Sequence, residues 1–360
     1  MSDGKITFID DANIANKHVL LRVDFNVSLT KDSLSISDDA RIKQSLPSTQ
    51  FLLKNGNKLI LVSHLGRPEK HDSKYSLKIV AERLQVYLPD FKITLVDDFL
   101  SYSSGAQQPN EIILLENIRF YPEEKSNDPE FAKKLASLAE VYVNDAFGVS
   151  HRTDASVVGV PKLLPSYGGL LMKKELEMIS KITENPARPL VAIIGGIKVE
   201  TKFKFIERLK SLVDFILIGS AMMKEIAASE KIILPLDVVT DKGEIKKIPE
   251  LNPGDKALDI GPETEAKFGS MIGQARTILW NGPVGNFENQ NFRRGTEFIY
   301  YSITQNDKSV SIVGGGDTIA AISKEEYLEK ITHISTGGGA MLEYIENGTL
   351  PGIEALKNSL

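Results

Sequence analysis

The chain of 360 residues contains no cysteine, a single tryptophan, and no apolar run long enough to span a membrane. The absence of cysteine excludes disulfides, thiolate metal sites and thiol nucleophiles. The N-terminal segment MSDGKITFIDDANI is acidic and mixed, which is not the pattern of a signal peptide. These absences predict a cytoplasmic protein in a reducing compartment, with no membrane partner.

Positive charge is also in short supply. The formal net charge is −5, and the chain carries only 11 arginines beside 32 lysines. This balance argues against a general affinity for nucleic acid. A content of 42% hydrophobic and 25% charged residues is ordinary for a globular protein. Because 360 residues exceed one ordinary hydrophobic core, the length predicts two domains.

Short runs rich in valine, isoleucine and leucine recur along the chain, separated by segments of helical period. Many of them are followed by glycine, aspartate, asparagine or serine. This pattern is typical of buried parallel strands in doubly wound α/β sheets, whose ligands bind beyond the carboxyl ends of the strands. The predicted strands are Val19–Val23, Leu59–Val62, Ile93–Val96, Ile112–Leu115, Val141–Val143, Leu190–Ile194, Phe215–Ile218, Ala257–Ile260, Thr277–Trp280, Val310–Val313 and Ile331–Ile334.

The domain boundary is predicted between Pro165 and Pro189. Within it, the segment LLMKKELEMISKI has apolar residues at helical spacing with charges between them. Pro186 and Pro189 end this pattern. The segment is therefore predicted to be a single helix that joins two α/β lobes and can transmit a hinge motion.

Two glycine triplets each follow a short apolar run in the last sixth of the chain. Gly314–Gly316 precedes Asp317 and Thr318, and Gly337–Gly339 follows Ser335 and Thr336. A turn without Cβ atoms at a helix N-terminus exposes unpaired N–H groups and the positive end of the helix dipole. The two triplets predict binding of a polyphosphate or a transferring phosphoryl group. Tight strand-to-helix turns without any ligand are the alternative.

Arginines collect beside polar turns of the N-terminal half. Arginine forms bidentate contacts with carboxylates and phosphates, so this set predicts binding of a small, multiply charged anion. Structural ion pairs with Asp24, Asp145 or Asp154 are the alternative, and Arg22 is the first candidate for a structural role because its strand neighbours are apolar. The arginines beside turns are Arg22, Arg41, Arg67, Arg119 and Arg152.

Two histidines, His64 and His151, accompany these arginines. Without cysteine and without HxxxH or HxH spacing, hydrogen bonding to an anion is favoured over a metal site.

The C-terminal half adds cations and an irregular glycine loop. The strand Leu190–Ile194 is followed by Gly196 and Lys198, and a predicted helix then carries Lys202. The i,i+4 spacing would place both ammonium groups on one helical face. A Walker A loop, GxxxxGK[ST], is absent. In the segment WNGPVGNFE, Glu288 could accept a hydrogen bond from a ribose hydroxyl.

Taken together, these motifs resemble those of the phosphoglycerate kinase family. The resemblance implies two Rossmann-like lobes facing across a cleft, with the C-terminal segment returning to the first lobe. The implied division is 1–169 plus 346–360 for the first lobe, 170–186 for the connecting helix and 187–345 for the second lobe. The matching segments, in the order of the family, are LRVDFNV, DDARIKQSLPS, LVSHLGRP, LLENIRFY, VNDAFGVSHR, GGLLMKKEL, AIIGGIKVETK, LDIGP, WNGPVGNFE, IVGGGDT, HISTGGGAMLE and LPGIEAL.

The resemblance implies phosphoryl transfer between 1,3-bisphosphoglycerate and ADP, with Mg²⁺, by a monomer. Arg41, Lys198, Gly316 and Gly339 would act on the transferring group, and Asp317 would hold the metal. The implied phosphoglycerate ligands are Asp24, Asn26, Arg41, His64, Arg67, Arg119 and Arg152. The implied nucleotide ligands are Gly196, Lys198, Lys202, Gly219, Pro283, Glu288, Gly314, Gly315, Gly316, Asp317 and Thr318.

The sequence departs from the family pattern on the side of the nucleotide base. Ile197 stands where alanine is usual, Thr201 replaces an aspartate, and Ser220 and Ala221 replace glycines. The stretch around 223–234 is shorter than usual. These departures predict a weak or permissive base site. A non-catalytic relative that binds only phosphoglycerate is the alternative. An unrelated sugar or acyl kinase would leave SHLGRP and NDAFGVSHR without an explanation.

Overall fold

A computed structural model describes residues 4–30, 32, 35–197, 202–322 and 325–359. The chain divides into two compact units, Met1–Glu175 with Thr349–Leu360 and Leu176–Gly348. Helix α5, Leu170–Thr183, begins in the first unit and ends in the second. The helix predicted from the LLMKKELEMISKI segment is thus present.

The first unit is built on one sheet of six parallel strands, in the order β5-β6-β4-β1-β7-β8. Its strands and the short pair β2–β3 are β1 (His18–Arg22), β2 (Ser28–Leu29), β3 (Ile36–Asp38), β4 (Lys58–Val62), β5 (Lys92–Val96), β6 (Glu111–Leu115), β7 (Val141–Asn144) and β8 (Ser166–Gly168). Its helices are α1 (Ala40–Lys54), α2 (Lys78–Tyr87), α3 (Pro122–Ser126), α4 (Pro129–Ala136), the start of α5, and α12 (Pro351–Lys357).

Both faces of this sheet are covered. Along β1, Val19 and Leu21 pack into one hydrophobic cluster, whereas Leu20 packs into another on the opposite face. Successive side chains of a strand point to opposite faces, so a strand buried on both faces reads as an unbroken apolar run. This is why the apolar runs of the sequence mark the strands of the parallel sheet.

The second unit repeats the architecture with a sheet in the order β11-β10-β9-β15-β16-β17, again parallel throughout. Its strands are β9 (Leu190–Ile194), β10 (Phe215–Ile218), β11 (Ile232–Ile233), β12 (Asp237–Thr240), β13 (Ile245–Lys247), β14 (Ala257–Ile260), β15 (Thr277–Asn281), β16 (Val310–Gly314) and β17 (His333–Ser335). Its helices, after the end of α5, are α6 (Phe203–Leu212), α7 (Pro262–Gln274), α8 (Arg294–Thr304), α9 (Gly316–Ala320), α10 (Glu325–Glu329) and α11 (Gly338–Asn347).

The predicted fold class, α/β with two doubly wound parallel sheets, is confirmed, but two strand predictions need correction. The run Ala257–Ile260 forms β14 in a separate antiparallel sheet, β13-β12-β14, because it pairs with β12. The run Ile331–Ile334 yields only His333–Ser335, since Ile331 donates its N–H to Leu328 in the preceding turn.

The strand orders locate the switch point of each sheet. In the first sheet β1 lies between β4 and β7, and in the second sheet β9 lies between β10 and β15. Crevices for ligands open beyond the carboxyl ends of the strands at such points. The loops after β1 and β7, and those after β9 and β15, are therefore the places to look for a site. Within the described ranges, no helix has both the length and the apolar character needed to cross a bilayer.

Candidate functional site

The loop after β1 brings an acidic side chain to the switch point of the first unit. Asp24 is 6% exposed and forms an ion pair with Arg41, which lies in the first turn of α1. Its other carboxylate oxygen is 3.9 Å from Nε2 of His64, which follows β4. Asp24, Arg41 and His64 are distant in sequence and converge here because β1, β4 and the start of α1 share one edge of the sheet.

The loops after β4 and β6 are tied together through Gly66. Its N–H donates to Oδ1 of Asn26 at 2.8 Å, and its carbonyl accepts from Arg119 at 2.7 Å. Burial, followed by the charges of Arg152 and Arg22, lowers the pKa of Arg119 to about 10. Arg119 is still charged at neutral pH, and its buried Nε has no partner within the described part of the chain. A buried guanidinium with an unused donor is suited to an incoming anion.

Four arginines surround His64. Burial lowers the pKa of His64 well below its ordinary value, and so do the positive charges of Arg22, Arg119, Arg41 and Arg152. The structure thus brings three of the predicted anion-binding arginines to one histidine. The excess positive potential around a neutral imidazole is the electrostatic condition for binding a multiply charged anion.

The structural alternative for the arginines holds in part. Arg22 is fully buried and hydrogen-bonded within the protein, so its structural assignment is confirmed. Arg152 pairs with Asp154 at 2.7 Å. Asp145, in contrast, accepts the backbone N–H groups of Leu171 and Met172 at the start of α5.

The remaining candidate arginine, Arg67, is exposed. Within the described ranges its side chain has no hydrogen bond or ion pair.

In the second unit, a cavity of about 560 Å³ opens at the carboxyl ends of the parallel strands. The loops after β9, β10, β15, β16 and β17 line it, together with the start of β14. The predicted ligands that line it are Gly196, Lys202, Pro283, Glu288, Gly315, Gly316, Asp317, Thr318 and Gly339. One cavity therefore collects predicted nucleotide ligands from four separate loops.

The glycines of the two triplets fall into two groups. At Gly315 the backbone has φ +105, a conformation that side chains disfavour, and a Cβ at Gly338 would meet the Gly315 nitrogen at 2.5 Å. These glycines are required by the turns themselves. At Gly316 and Gly339, in contrast, a Cβ would meet nothing within 4 Å outside the glycine's own neighbourhood in the described structure. The open space in front of these two amides is available to a ligand.

Two predicted nucleotide ligands, Gly219 and Gly314, do not line the cavity. A Cβ at Gly219 would meet the backbone of Val284 at 3.0 Å, and a Cβ at Gly314 would meet Met341 at 2.6 Å. Both glycines permit close packing of the loops and do not line the cavity. Thr318 links the loops after β15 and β16, since its hydroxyl accepts the N–H of Gly282 at 2.7 Å and donates to the Gly314 carbonyl.

Lys202 sits deep in the cavity, and its ammonium group donates to the carbonyl of Gly195 at 2.6 Å. Lys202 is the N-cap of helix α6, which begins at Phe203, and the predicted placement of Lys198 and Lys202 on one helical face falls outside the described residues. Lys198 and Thr201 lie outside the described residues. Burial lowers the pKa of Lys202 to about 8, and the charge of Asp317 partly opposes the shift.

The lowered pKa of Lys202 predicts a pH-dependent affinity for polyphosphates. Lys202 is charged below about pH 8 and neutral above it. We therefore expect the affinity for ADP to fall several-fold as the pH rises from about 7.5 to about 9, a range in which phosphate is already fully ionised. Isothermal titration calorimetry at constant Mg²⁺ measures this. In Lys202→Arg the decline should vanish, because arginine stays charged; a decline retained there would assign the effect to another group.

Asp317, in the first turn of α9, presents its carboxylate to the cavity. Across the described ranges this carboxylate has no hydrogen bond or ion pair, and no cluster of three metal-ligating side chains exists there. Mg²⁺ is commonly bound through one or two carboxylates plus substrate phosphates and water, not by a protein cage. The residues present therefore fit a magnesium ion that arrives with a polyphosphate.

Several cavity residues were not predicted from the sequence. Ala257 and Leu258 of β14 and Leu342 of α11 provide apolar wall, and Asn281 donates to the Gly314 carbonyl at 2.9 Å. The apolar residues carry no motif of their own. Asn281 lies inside WNGPVG, so its position at the end of a buried strand was a usable signal.

Comparison with known proteins agrees with this geometry. A sequence model described as phosphoglycerate kinase matches residues 9–230 and 221–348. The phosphoglycerate kinase of Koribacter versatilis is 44% identical over 398 residues, covering 97% of this chain and 98% of the relative. That of Nostoc punctiforme is 41% identical and covers 100% of both chains. The solved structure of phosphoglycerate kinase from Coxiella burnetii aligns with a TM-score of 0.86 at 34% identity, covering 98% of this chain and 99% of that one. The chain belongs to the phosphoglycerate kinase family.

Proposed function

We propose that the first unit binds phosphoglycerate and the second unit binds the nucleotide. The chain is a kinase of glycolysis, which transfers a phosphoryl group between 1,3-bisphosphoglycerate and ADP to give 3-phosphoglycerate and ATP. The cluster around His64 supports the first half of the division. The cavity of about 560 Å³ supports the second half.

The observation that carries this proposal is the open space at Gly316 and Gly339. Neither glycine is required by a left-handed turn or by packing. Each lies in the first turn of a helix, where the backbone N–H groups lack intrahelical partners. Their amides are therefore suited to the oxygens of a phosphoryl group, while Lys202 supplies positive charge in the same cavity.

Phosphoryl transfer asks the protein mainly to position two anions and to neutralise the charge between them. Arg41 would reach the transferring group from the phosphoglycerate side, and the amides of Gly316 and Gly339 would meet it from the nucleotide side. Mg²⁺ held by Asp317 and the nucleotide phosphates would supply further positive charge. No protein nucleophile is needed, because the acceptor is already a carboxylate or a phosphate.

The substitution Gly316→Ala distinguishes a phosphate-binding role of Gly316 from a role in packing. The added Cβ meets no described atom, and alanine favours the helix over glycine, so the melting temperature should stay the same or rise. Activity should nevertheless fall roughly tenfold or more, since the methyl group occupies the space for phosphate. Gly273→Ala in α7 is the matched control, equally open and outside the cavity. A loss of stability without loss of activity would contradict the proposal.

A coupled assay tests the function as a whole. With 3-phosphoglycerate and Mg·ATP as substrates and the acyl phosphate trapped, we expect ADP to be released in proportion to trapped product. Binding of 3-phosphoglycerate without turnover would favour the non-catalytic alternative. Turnover with another acyl or sugar acceptor in its place would contradict the proposed substrate.

The base end of the cavity predicts a permissive nucleotide preference. Ile197 is 87% exposed at the cavity wall. The Ser220 hydroxyl is turned away to the Val284 carbonyl, and residues 223–231 contain no helix. Contacts to the phosphates remain, so GTP should compete with ATP nearly evenly. Ile197→Ala should raise ATP affinity by about 1 kcal/mol, which competition binding can measure.

Ile245→Ala is the matched control for this prediction, because Ile245 is an exposed isoleucine outside the cavity. Tight ATP binding with strong rejection of GTP by the unmodified chain would show that the base pocket is complete.

A further inference from the structure

A buried polar network lies beneath the candidate phosphoglycerate site. Arg22, at the end of β1, is 0% exposed, and its Nε donates to the hydroxyl of Ser156 at 2.9 Å. That hydroxyl donates in turn to Oε1 of Glu124 at 2.5 Å. The Ser156 N–H donates to the other carboxylate oxygen at 2.9 Å. Glu124 is also 0% exposed, and burial raises the pKa of its carboxyl group, an effect that the charge of Arg22 and the hydrogen bonds from Ser156 oppose.

The remaining nitrogens of Arg22 are also used inside the first unit. One terminal nitrogen donates to the carbonyls of Val23 and Val62. The other lies 3.3 Å from Nδ1 of His64. All three nitrogens therefore have partners within the protein, and none is exposed to bind an anion. Any effect of Arg22 on substrate must pass through another residue, and His64 is the neighbour that belongs to the candidate site.

The contact between Arg22 and His64 decides which imidazole nitrogen carries a proton. A guanidinium is always protonated under physiological conditions and can only donate. Nδ1 of His64 must therefore accept, which leaves the proton of the neutral ring on Nε2. An imidazolium is excluded, because its Nδ1–H would point at a second donor of like charge. Nε2 faces Asp24, whose Oδ1 is 3.9 Å away, at the edge of the arginine cluster.

We propose that Arg22 is a positioning residue that keeps His64 an uncharged donor, with its Nε2–H directed into the phosphoglycerate site. The inference rests on the proposed function for the identity of the anion, and on the geometry of Arg22 and His64 for the state of the ring. Arg41, Arg119 and Arg152 already supply positive charge. A neutral hydrogen-bond donor can therefore orient the bound anion without adding to the repulsion among these cations. Ser156 joins Arg22 to Glu124, whose two carboxyl oxygens both accept hydrogen bonds, and this network holds the Arg22 side chain beneath the site.

Nitrogen NMR of the unmodified protein tests the proposal without any substitution. At about pH 6, near the ordinary histidine pKa, Nδ1 of His64 should show the signal of an unprotonated ring nitrogen, and Nε2 that of a protonated one. The exposed His71 serves as an internal reference in the same spectrum. Protonation of both His64 nitrogens, or of Nδ1 alone, would overturn the proposal. Because no substrate is present, this result is independent of the proposed function.

A double-mutant cycle tests whether Arg22 acts through His64. Arg22→Met is combined with Glu124→Gln, so that no uncompensated charge stays buried. Calorimetry with 3-phosphoglycerate should show a loss of affinity of about tenfold in the His64 background, as for a lost hydrogen bond to an ion. In the His64→Ala background, the same two substitutions should cause little further loss of affinity for 3-phosphoglycerate. Equal losses in both backgrounds would overturn the proposal, and an unchanged thermal unfolding transition would show that the first unit, which carries the substitutions, is folded in the variants.

The two tests fail in different ways. If the unmodified chain bound no 3-phosphoglycerate, the proposed function would fail, while the NMR spectrum would still decide the state of His64. If the chain bound 3-phosphoglycerate but His64 were an imidazolium, the positioning role of Arg22 would fail and the proposed function would stand.

Discussion

Replacing Arg41 with alanine is expected to lower kcat by roughly 10²-fold or more, with a much smaller effect on the KM for 3-phosphoglycerate. Arg41 lies in the first turn of α1, and about one third of its side chain is exposed, so it can contact a bound anion. Its charge is most valuable where negative charge develops during transfer, because a contact made only then lowers the barrier without tightening ground-state binding. Steady-state kinetics with 3-phosphoglycerate and Mg·ATP measure both constants.

The main complication of this experiment is Asp24, which loses its partner in the variant. A carboxylate that is 6% exposed would then be unpaired, and the local structure could shift. The double variant Asp24→Asn with Arg41→Ala removes that charge. Arg83→Ala is the matched control, since Arg83 also forms an ion pair, with Asp39, in the same unit. A raised KM with unchanged kcat would make Arg41 a binding residue only.

The fold was largely predictable because both faces of each parallel sheet are buried. Full burial leaves an apolar run in strands such as β9 and β15, and these runs are visible without any structural information. The same signal failed for β14. The four residues Ala257–Ile260, three apolar and one aspartate, have no feature that distinguishes a parallel neighbour from the antiparallel partner β12. Pairing depends on contacts distant in sequence, so only the structure could assign this strand.

Site residues could be predicted where the side-chain chemistry is specific. They were harder to predict where the role of a residue depends on the backbone conformation and its neighbours. Arg119 and Asp317 could be selected because a guanidinium beside a turn and a carboxylate after a glycine triplet have few roles. The glycines could not be separated in this way. Gly314 and Gly316 are only two positions apart. Met341 nevertheless covers Gly314, whereas Gly316 faces open space. Apolar residues of the cavity wall, such as Leu258, were not predicted, because a residue that packs against a ligand has the same sequence pattern as one that packs in a core.

Asp317→Asn is the second substitution expected to have a large effect. Its carboxylate faces the cavity from the first turn of α9 and has no hydrogen bond or ion pair in the described structure. A carboxylate without a structural partner can be changed to its isosteric amide at little cost in stability. Any loss of function must then come from what the carboxylate binds, which the chemistry of the site indicates is a divalent cation carried by the nucleotide.

We therefore expect Asp317→Asn to lower kcat/KM for Mg·ADP by roughly 10²-fold, because an amide oxygen binds a hard cation far more weakly than a carboxylate does. Affinity for 3-phosphoglycerate should be nearly unchanged, since its proposed ligands belong to the other unit. Calorimetry with each ligand, and activity measured over a range of Mg²⁺ concentrations, separate the two effects; raised Mg²⁺ should restore part of the activity. Asp307→Asn, an exposed aspartate of the same unit outside the cavity, is the control. Equal losses for both ligands, or a loss that Mg²⁺ does not relieve, would assign Asp317 a structural role in place of metal binding.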